Sequence, residues 1–263
     1  MTRTDNRNID KIVGTGPGDP ELLTLRAESA IRMADVILYD CKTVEPALLL
    51  ASADALIASV ERSLYENGLG DRESTPMIVA IRKHYREGRR VVRLKAGDPT
   101  LFGGEVDECD VLDRMGIPYA IIPGVSAGAA AAAAYALPIS RKFESDVVVN
   151  LIAAEINDDF ALIRDASRLL LHGGTMVLYM ATSNLPGILQ VFREMEVPDT
   201  TPVVAISKAG WPDEAFAETT LGGMEKAGCS FNLRDPVVYT IGGYVRARRS
   251  PLPNSSDPEV SSA

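Results

Sequence analysis

Short apolar runs alternate with amphipathic stretches along the first half of the chain. Lys11-Ile12-Val13-Gly14, Asp35 to Tyr39, Ala55 to Val60, Arg90 to Leu94 and Tyr119 to Ile122 each read as a strand. Between them, Glu21 to Met33 reads as a helix, with Leu22, Leu25, Ser29 and Met33 near one face. A second helix is expected over residues 75–87, ended by Gly88, and a third after the run "RLKAGDPTLFGGE". Strands that are apolar almost throughout, alternating with helices, predict a mostly parallel sheet covered on both faces.

The texture changes after Pro123-Gly124. Gly128 to Ala134 is alanine-rich and predicts a helix packed closely against something. Strands are expected at Asp146 to Ile152, Thr175 to Tyr179, Pro202 to Ser207, Ala215 to Thr220 and Pro236 to Ile241. The last three follow one another with little helix between them, which predicts a mixed sheet with antiparallel pairs. The fold class is therefore α/β, in two α/β domains over residues 1–123 and 124–247. A Ser- and Pro-rich tail over 248–263 reads as disordered.

Two Gly-Asp-Pro turns, Gly18-Asp19-Pro20 and Gly97-Asp98-Pro99, stand at the carboxyl ends of strand-like runs. As turn formers they are ordinary punctuation; at the carboxyl edge of an open α/β sheet they also form the rim of a ligand crevice. Asp19 fits the cap of a helix beginning at Pro20. Gly14 and Gly16 match the first two glycines of a dinucleotide fingerprint, but Asp19 stands at the third and Pro17 removes an amide. A nucleotide-dependent oxidoreductase is the weaker reading for that reason.

Composition narrows the chemistry. The 263 residues carry a formal net charge of -9, which argues against extended nucleic-acid binding. No apolar run approaches the roughly 20 residues of a membrane-spanning helix, and the start has no signal-like segment, so a cytoplasmic protein is expected. Cys41, Cys109 and Cys229 lie far apart and form no metal-ligand spacing, so no metal is expected. His84 and His172 are expected to be exposed. Metal catalysis and histidine acid–base chemistry have little to work with.

Three segments, "VGTGPGDPELLTLRAESAIRMADVILYD", "VVRLKAGDPTLFGG" and "IPYAIIPGVSAGAAAAA", together resemble the tetrapyrrole (corrin/porphyrin) methylases, in the family's order and over about residues 10–245. The resemblance implies a homodimer of two α/β domains, with S-adenosylmethionine in the cleft between them and a tetrapyrrole as the methyl acceptor. Neither nucleic acid nor membrane is an expected partner. Cofactor contacts carry over to Pro17, Ala96, Gly97, Asp98, Leu101, Phe102, Ser126, Ala127, Met180, Ala181 and Ala209. Ala96 stands where the family usually has a glycine, and its methyl is expected to crowd the backbone.

By the same resemblance Asp40 faces the tetrapyrrole as the catalytic candidate, either hydrogen-bonding pyrrole N–H groups or accepting the released proton; the plain alternative is a turn residue. Methyl transfer from a sulfonium to carbon needs alignment and exclusion of water, and no covalent nucleophile. Lys42, Arg62, Lys95, Arg141 and Lys142 are candidates to meet the acceptor's carboxylates. Within the family, "RLKAGDPTLFGG" and "GTMVLYMATSNLPGIL" are most similar to the branch that acts on uroporphyrinogen III. "ISKAGWPDEAFAETTLGGM" is closer to the precorrin-4 branch. Residues 59–76 match neither, which keeps open a relative that binds the cofactor without turnover.

Overall fold

The structure is a computed structural model that describes residues 10–60, 72–103, 105–153, 160–227 and 233–248. Arg62, Cys229, most of the 59–76 segment and the tail beyond Arg248 lie outside the described residues. The chain divides into two compact units that part between Ser126 and Ala127.

The first unit is built on five strands: β1 (Asp10–Gly14), β2 (Val36–Tyr39), β3 (Leu56–Ser59), β4 (Val91–Lys95) and β5 (Tyr119–Ile122). Their order is β3-β2-β4-β1-β5, and every pair is parallel. Neighbouring residues on a strand point to opposite faces, and both faces here are apolar. Ile12, Val36, Leu38 and Val91 pack with α2 (Pro76–Arg86) and α3 (Glu105–Arg114) through Met77, Ile78, Ile81, Val111 and Leu112. Val13, Ile37, Val92 and Leu94 pack on the other side with α1 (Leu25–Arg32) and a 3-10 run over Lys42–Leu50, through Ala27, Ala30, Ile31, Val44 and Ala47.

This distribution sets the site. The helix after β1 lies on one face and the helix after β4 on the other, while β1 and β4 are hydrogen-bonded neighbours. A strand pair of that kind leaves a crevice at its carboxyl ends. The two Gly-Asp-Pro turns leave from those ends.

The first helix differs from its expectation. Pro20–Leu22 is a separate 3-10 turn, and α1 starts at Leu25 with the Thr24 hydroxyl accepting from Ala27 N at 3.1 Å. Leu25 is 85% exposed and Met33 47% exposed, so the stripe Leu22, Leu25, Ser29 and Met33 is not the buried face. The inner face is Ala27, Ala30 and Ile31, small enough to bring the helix close to the sheet. His84 also departs from expectation: it is buried, with Nδ1 3.1 Å from Glu87 Oε2. His172 is exposed.

The second unit has β6 (Val148–Ile152), β7 (Thr175–Tyr179), β8 (Pro202–Ser207), β9 (Ala215–Thr220) and β10 (Val237–Ile241), in the order β6-β7-β10-β8-β9. β6 and β7 are parallel; β10 runs antiparallel to β7 and β8, and β8 to β9. The alanine-rich helix α4 (Ala127–Ala134) lies close to this sheet. A Cβ on Gly128 would stand 2.3 Å from the Tyr179 hydroxyl oxygen. Helices α5 (Ala161–Leu171), α6 (Leu185–Glu194) and α7 (Leu221–Lys226) bury Ile163, Leu170, Ile188, Phe192 and Met224 with Leu178, Val203 and Tyr239. No described helix is long and apolar enough to cross a membrane.

Candidate active site

The tips of β1, β4 and β5 meet with almost no side chains between them. Gly16 N donates to Gly97 O at 3.2 Å, and Gly97 N donates to Gly16 O at 2.7 Å. Both glycines are left-handed, with φ of 73° and 66°, a conformation that costs other residues energy. A Cβ on Gly124 would lie 2.1 Å from Gly97 O, and one on Gly14 would lie 2.6 Å from Gly124 N. Only glycine fits at Gly14 and Gly124, so the seam closes chiefly backbone against backbone.

Gly97 is different. Among the described residues, a Cβ built there meets nothing nearer than Ser126 Cα at 3.9 Å. Its open side lies on the rim, where a ligand can approach the backbone without meeting a side chain.

The two aspartates of the turns are occupied by the chain itself. Asp19 Oδ1 accepts from Glu21 N at 2.8 Å and caps the short 3-10 turn. Asp98 Oδ1 accepts from Thr100 N at 2.8 Å and from its hydroxyl at 2.5 Å, while Oδ2 accepts from Gly124 N at 3.0 Å. Asp98, half-buried, therefore ties the second turn to the β5 exit. Ala96 packs its side chain with the cluster that includes Leu94 and Val13. Its methyl lies with the core and does not crowd the rim.

The remaining carried-over residues of the first unit gather at this edge. Pro17 is buried, Leu101 and Ser126 are half-buried, and Phe102 is exposed with a left-handed φ of 59°. Non-glycine residues in that region concentrate at ligand sites, because surrounding structure must hold them there. In the second unit Met180 directly follows β7, exposed and left-handed with a φ of 51°. Ala127 opens α4 and is half-buried. Ala181 and Ala209 have side chains in apolar clusters, so their contribution to any ligand falls to the backbone.

Beside the rim lies a feature that the sequence reading missed. Arg93, in the middle of β4, is 1% exposed on the face covered by α2 and α3. Its guanidinium has five N–H donors, and each meets an acceptor. Nη1 donates to Asp40 Oδ1 at 3.0 Å and to Leu94 O at 2.8 Å. Nη2 donates to Asp40 Oδ2 at 2.6 Å and to Glu108 Oε1 at 3.2 Å, and Nε to Glu108 Oε2 at 3.4 Å. Burial works against the Arg93 charge, but the Glu108 charge and the Asp40 hydrogen bond outweigh it and hold its pKa above the ordinary value. The available signal was an arginine inside the apolar run Val91-Val92-Arg93-Leu94. A buried strand position of that kind requires acidic partners.

This cluster revises two assignments. Asp40 is not a lone carboxylate at a strand tip: both its oxygens face the Arg93 fork and its side chain is 15% exposed. Lys95 does not extend toward an outside ligand. It is buried, and Nζ donates to Gly103 O at 3.2 Å and Glu108 Oε1 at 3.1 Å. The other described basic candidates each have surroundings of their own unit. Lys42 is exposed at the start of its 3-10 run. Arg141 pairs with Glu144 at 3.0 Å and lies over the Tyr244 ring, and Lys142 lies over Phe143.

Residues 11–225 match the family described as Tetrapyrrole (Corrin/Porphyrin) Methylases. A uroporphyrinogen-III C-methyltransferase of Pseudomonas aeruginosa is 35% identical over 238 residues, 89% of this chain and 93% of that protein. The chain also matches siroheme synthases and spans about half their length, 50% in one case. Among solved structures, a cobalt precorrin-4 methyltransferase superposes with a TM-score of 0.78 at 26% identity, covering 92% of this chain and 98% of that one. A uroporphyrin-III C-methyltransferase from Thermus thermophilus, complexed with S-adenyl homocysteine, gives 0.71 at 26% identity over 89% and 97%. A glycine-sealed rim at the β1–β4 switch point, in a chain matched over most of its length, leads to one conclusion: this protein belongs to the tetrapyrrole (corrin/porphyrin) methylases, a family of S-adenosylmethionine-dependent methyltransferases.

Proposed function

We propose that the protein transfers methyl groups from S-adenosylmethionine to carbons of uroporphyrinogen III, forming precorrin-2 and S-adenosylhomocysteine. The observation that carries this reading is the 35% identity that runs through 93% of a uroporphyrinogen-III C-methyltransferase. The rim fits the cofactor, because the open side of Gly97 admits a ligand against backbone. Pro17, Ala96, Gly97, Leu101, Phe102 and Ser126 hold it there, the first through a rigid turn and Gly97 through its unobstructed peptide. When bound, S-adenosylmethionine supplies an electrophilic methyl group.

The chain's own residues then have two tasks. Backbone at the rim fixes the direction of approach, since in-line alignment and exclusion of water supply most of what this chemistry needs. Asp40 accepts hydrogen bonds from pyrrole N–H groups and orients the ring whose carbon receives the methyl. One proton leaves the methylated macrocycle for each methyl that enters, which keeps the charge balanced. We read the enzyme as a homodimer in the cytoplasm; light scattering tests the first part.

A precorrin-4 acceptor is the second reading. It is favoured by the segment Trp211-Pro212-Asp213 and by the TM-score of 0.78 with a cobalt precorrin-4 methyltransferase. One experiment separates the two. The protein is incubated anaerobically with S-adenosylmethionine and either uroporphyrinogen III or a precorrin-4 preparation, and the products are weighed by mass spectrometry. Methylated product from the first acceptor supports the main reading; product from the second alone replaces it. In parallel, S-adenosylhomocysteine is expected to raise the melting temperature by mass action.

A further inference from the structure

We infer that Arg93 is a positioning residue for methyl transfer, acting through Asp40 as a fixed, charged hydrogen-bond acceptor. The inference rests on the proposed tetrapyrrole reading and assigns that site a residue and a mode of action.

Two positive and two negative groups lie together on one face of the parallel sheet. Arg93 and Lys95 come from β4, Asp40 follows β2, and Glu108 stands on α3. Desolvating four charges is costly, and apolar residues of similar volume commonly serve a core as well or better. Apolar neighbours are plentiful on this face. A purely structural role therefore explains poorly why a guanidinium occupies the strand centre.

The geometry points to direction instead. Two parallel N–H···O bonds from one planar guanidinium fix both the position and the plane of the Asp40 carboxylate. Glu108 holds the opposite side of the same fork, and Lys95 holds Glu108. The chain of contacts runs from helix to strand to the Asp40 carboxylate, with every guanidinium N–H used. Asp40 thereby presents a set of lone pairs at a fixed angle. Its charge is matched by the fork, which suits the task of aligning pyrrole N–H groups better than that of removing a proton.

The test is a cycle of Arg93→Lys, Asp40→Asn and the double variant, assayed with S-adenosylmethionine and uroporphyrinogen III. Lysine keeps the charge and loses the fork. Arg93→Lys is expected to lower kcat about 10–100-fold, the usual effect of misplacing a group by an ångström. KM for S-adenosylmethionine and the S-adenosylhomocysteine-induced rise in melting temperature are expected to stay within twofold of the parent. In the Asp40→Asn background the same change is expected to cost less than a further twofold, because the two residues act as a unit. Glu108→Gln gives a second handle should Arg93→Lys not fold. It loosens the far side of the fork, and its kcat loss is likewise expected to vanish in the Asp40→Asn background.

A kcat within twofold of the parent for a folded Arg93→Lys, or losses that simply multiply in the double variant, would overturn the positioning role. A parent protein that methylates no tetrapyrrole overturns the acceptor reading itself, a separate outcome from an active parent with an indifferent Arg93.

Discussion

Gly16 and Gly97 exchange two backbone hydrogen bonds, at 3.2 and 2.7 Å, and so join the two Gly-Asp-Pro turns across neighbouring strands. Gly97 opens the second tripeptide, and Gly16 stands two residues ahead of the first. Both glycines are left-handed, and each lends its peptide to the other.

The seam makes opposite demands on its glycines. Gly124→Ala forces a methyl against the Gly97 carbonyl oxygen and is expected to destabilise the fold by about 2 kcal/mol or more. Gly97→Ala has room for its methyl and suffers only the left-handed strain, about 1–2 kcal/mol. Urea titration measures both. The methyl at residue 97 occupies the open side of the rim, so the second variant is expected to lose its thermal response to S-adenosylhomocysteine while remaining folded.

Asp40→Asn is expected to retain cofactor binding and slow methyl transfer by about 10-fold or more, as an orienting hydrogen bond worth 1–3 kcal/mol is lost. The fold does not escape: an amide cannot accept from both arms of the Arg93 fork, and a buried donor is left without its acceptor. Single-turnover rates with saturating cofactor, beside a melting curve, read the two effects apart. An unchanged rate reduces Asp40 to an anchor for Arg93.

Lys95→Met is expected to act on stability. Removing the ammonium leaves Glu108 with less compensation in a buried setting, so the melting temperature should fall. KM for a carboxylate-rich acceptor should hardly move, since Nζ is turned to Glu108 and Gly103. A large rise in KM with an unchanged melting temperature would return Lys95 to the acceptor's ligands.

Asp10 gives the fold a pH dependence. It is buried at the start of β1, neither carboxylate oxygen has a hydrogen-bond partner among the described residues, and burial raises its pKa to about 7. The folded state thus prefers the protonated form. Its contribution is fully present below the unfolded pKa near 4 and is lost as pH rises through about 7. Asp10→Asn is expected to match the parent near pH 4. By pH 8 it should exceed the parent in stability by on the order of 1–3 kcal/mol. Parallel curves for the two proteins between pH 5 and pH 8 would show that Asp10 does not titrate there.

The ten strands of the described residues were legible in the sequence: β1, β2, β4, β7, β8 and β10 as apolar runs that are mostly buried, and the more exposed β3, β5, β6 and β9 as short runs of strand-forming residues between turns. The parallel order was legible in kind but not in detail, since β4 inserts between β2 and β1 through contacts far apart in sequence. Helix faces were less readable. Leu22, Leu25, Ser29 and Met33 have helical spacing, yet the Thr24 cap starts the helix after Leu22 and turns alanines inward. His84 looked polar by its neighbours and is buried at the end of α2. At the site, the glycines and turns could be read locally, and the assignment of cofactor residues came from resemblance. The Arg93 cluster was hidden because it joins four residues from three elements, and only the fold brings them together.

Three strand tips sealed by glycine also divide the rim into two kinds of position. At Gly14 and Gly124 any side chain meets backbone, so these places are closed to change. At Leu101 and Phe102, half-buried and exposed, the side chains do not seal the seam. Substitutions there can alter what the rim touches while the peptide framework stays in register. The rim is thereby open to point changes, with no need to rebuild the loops that hold it.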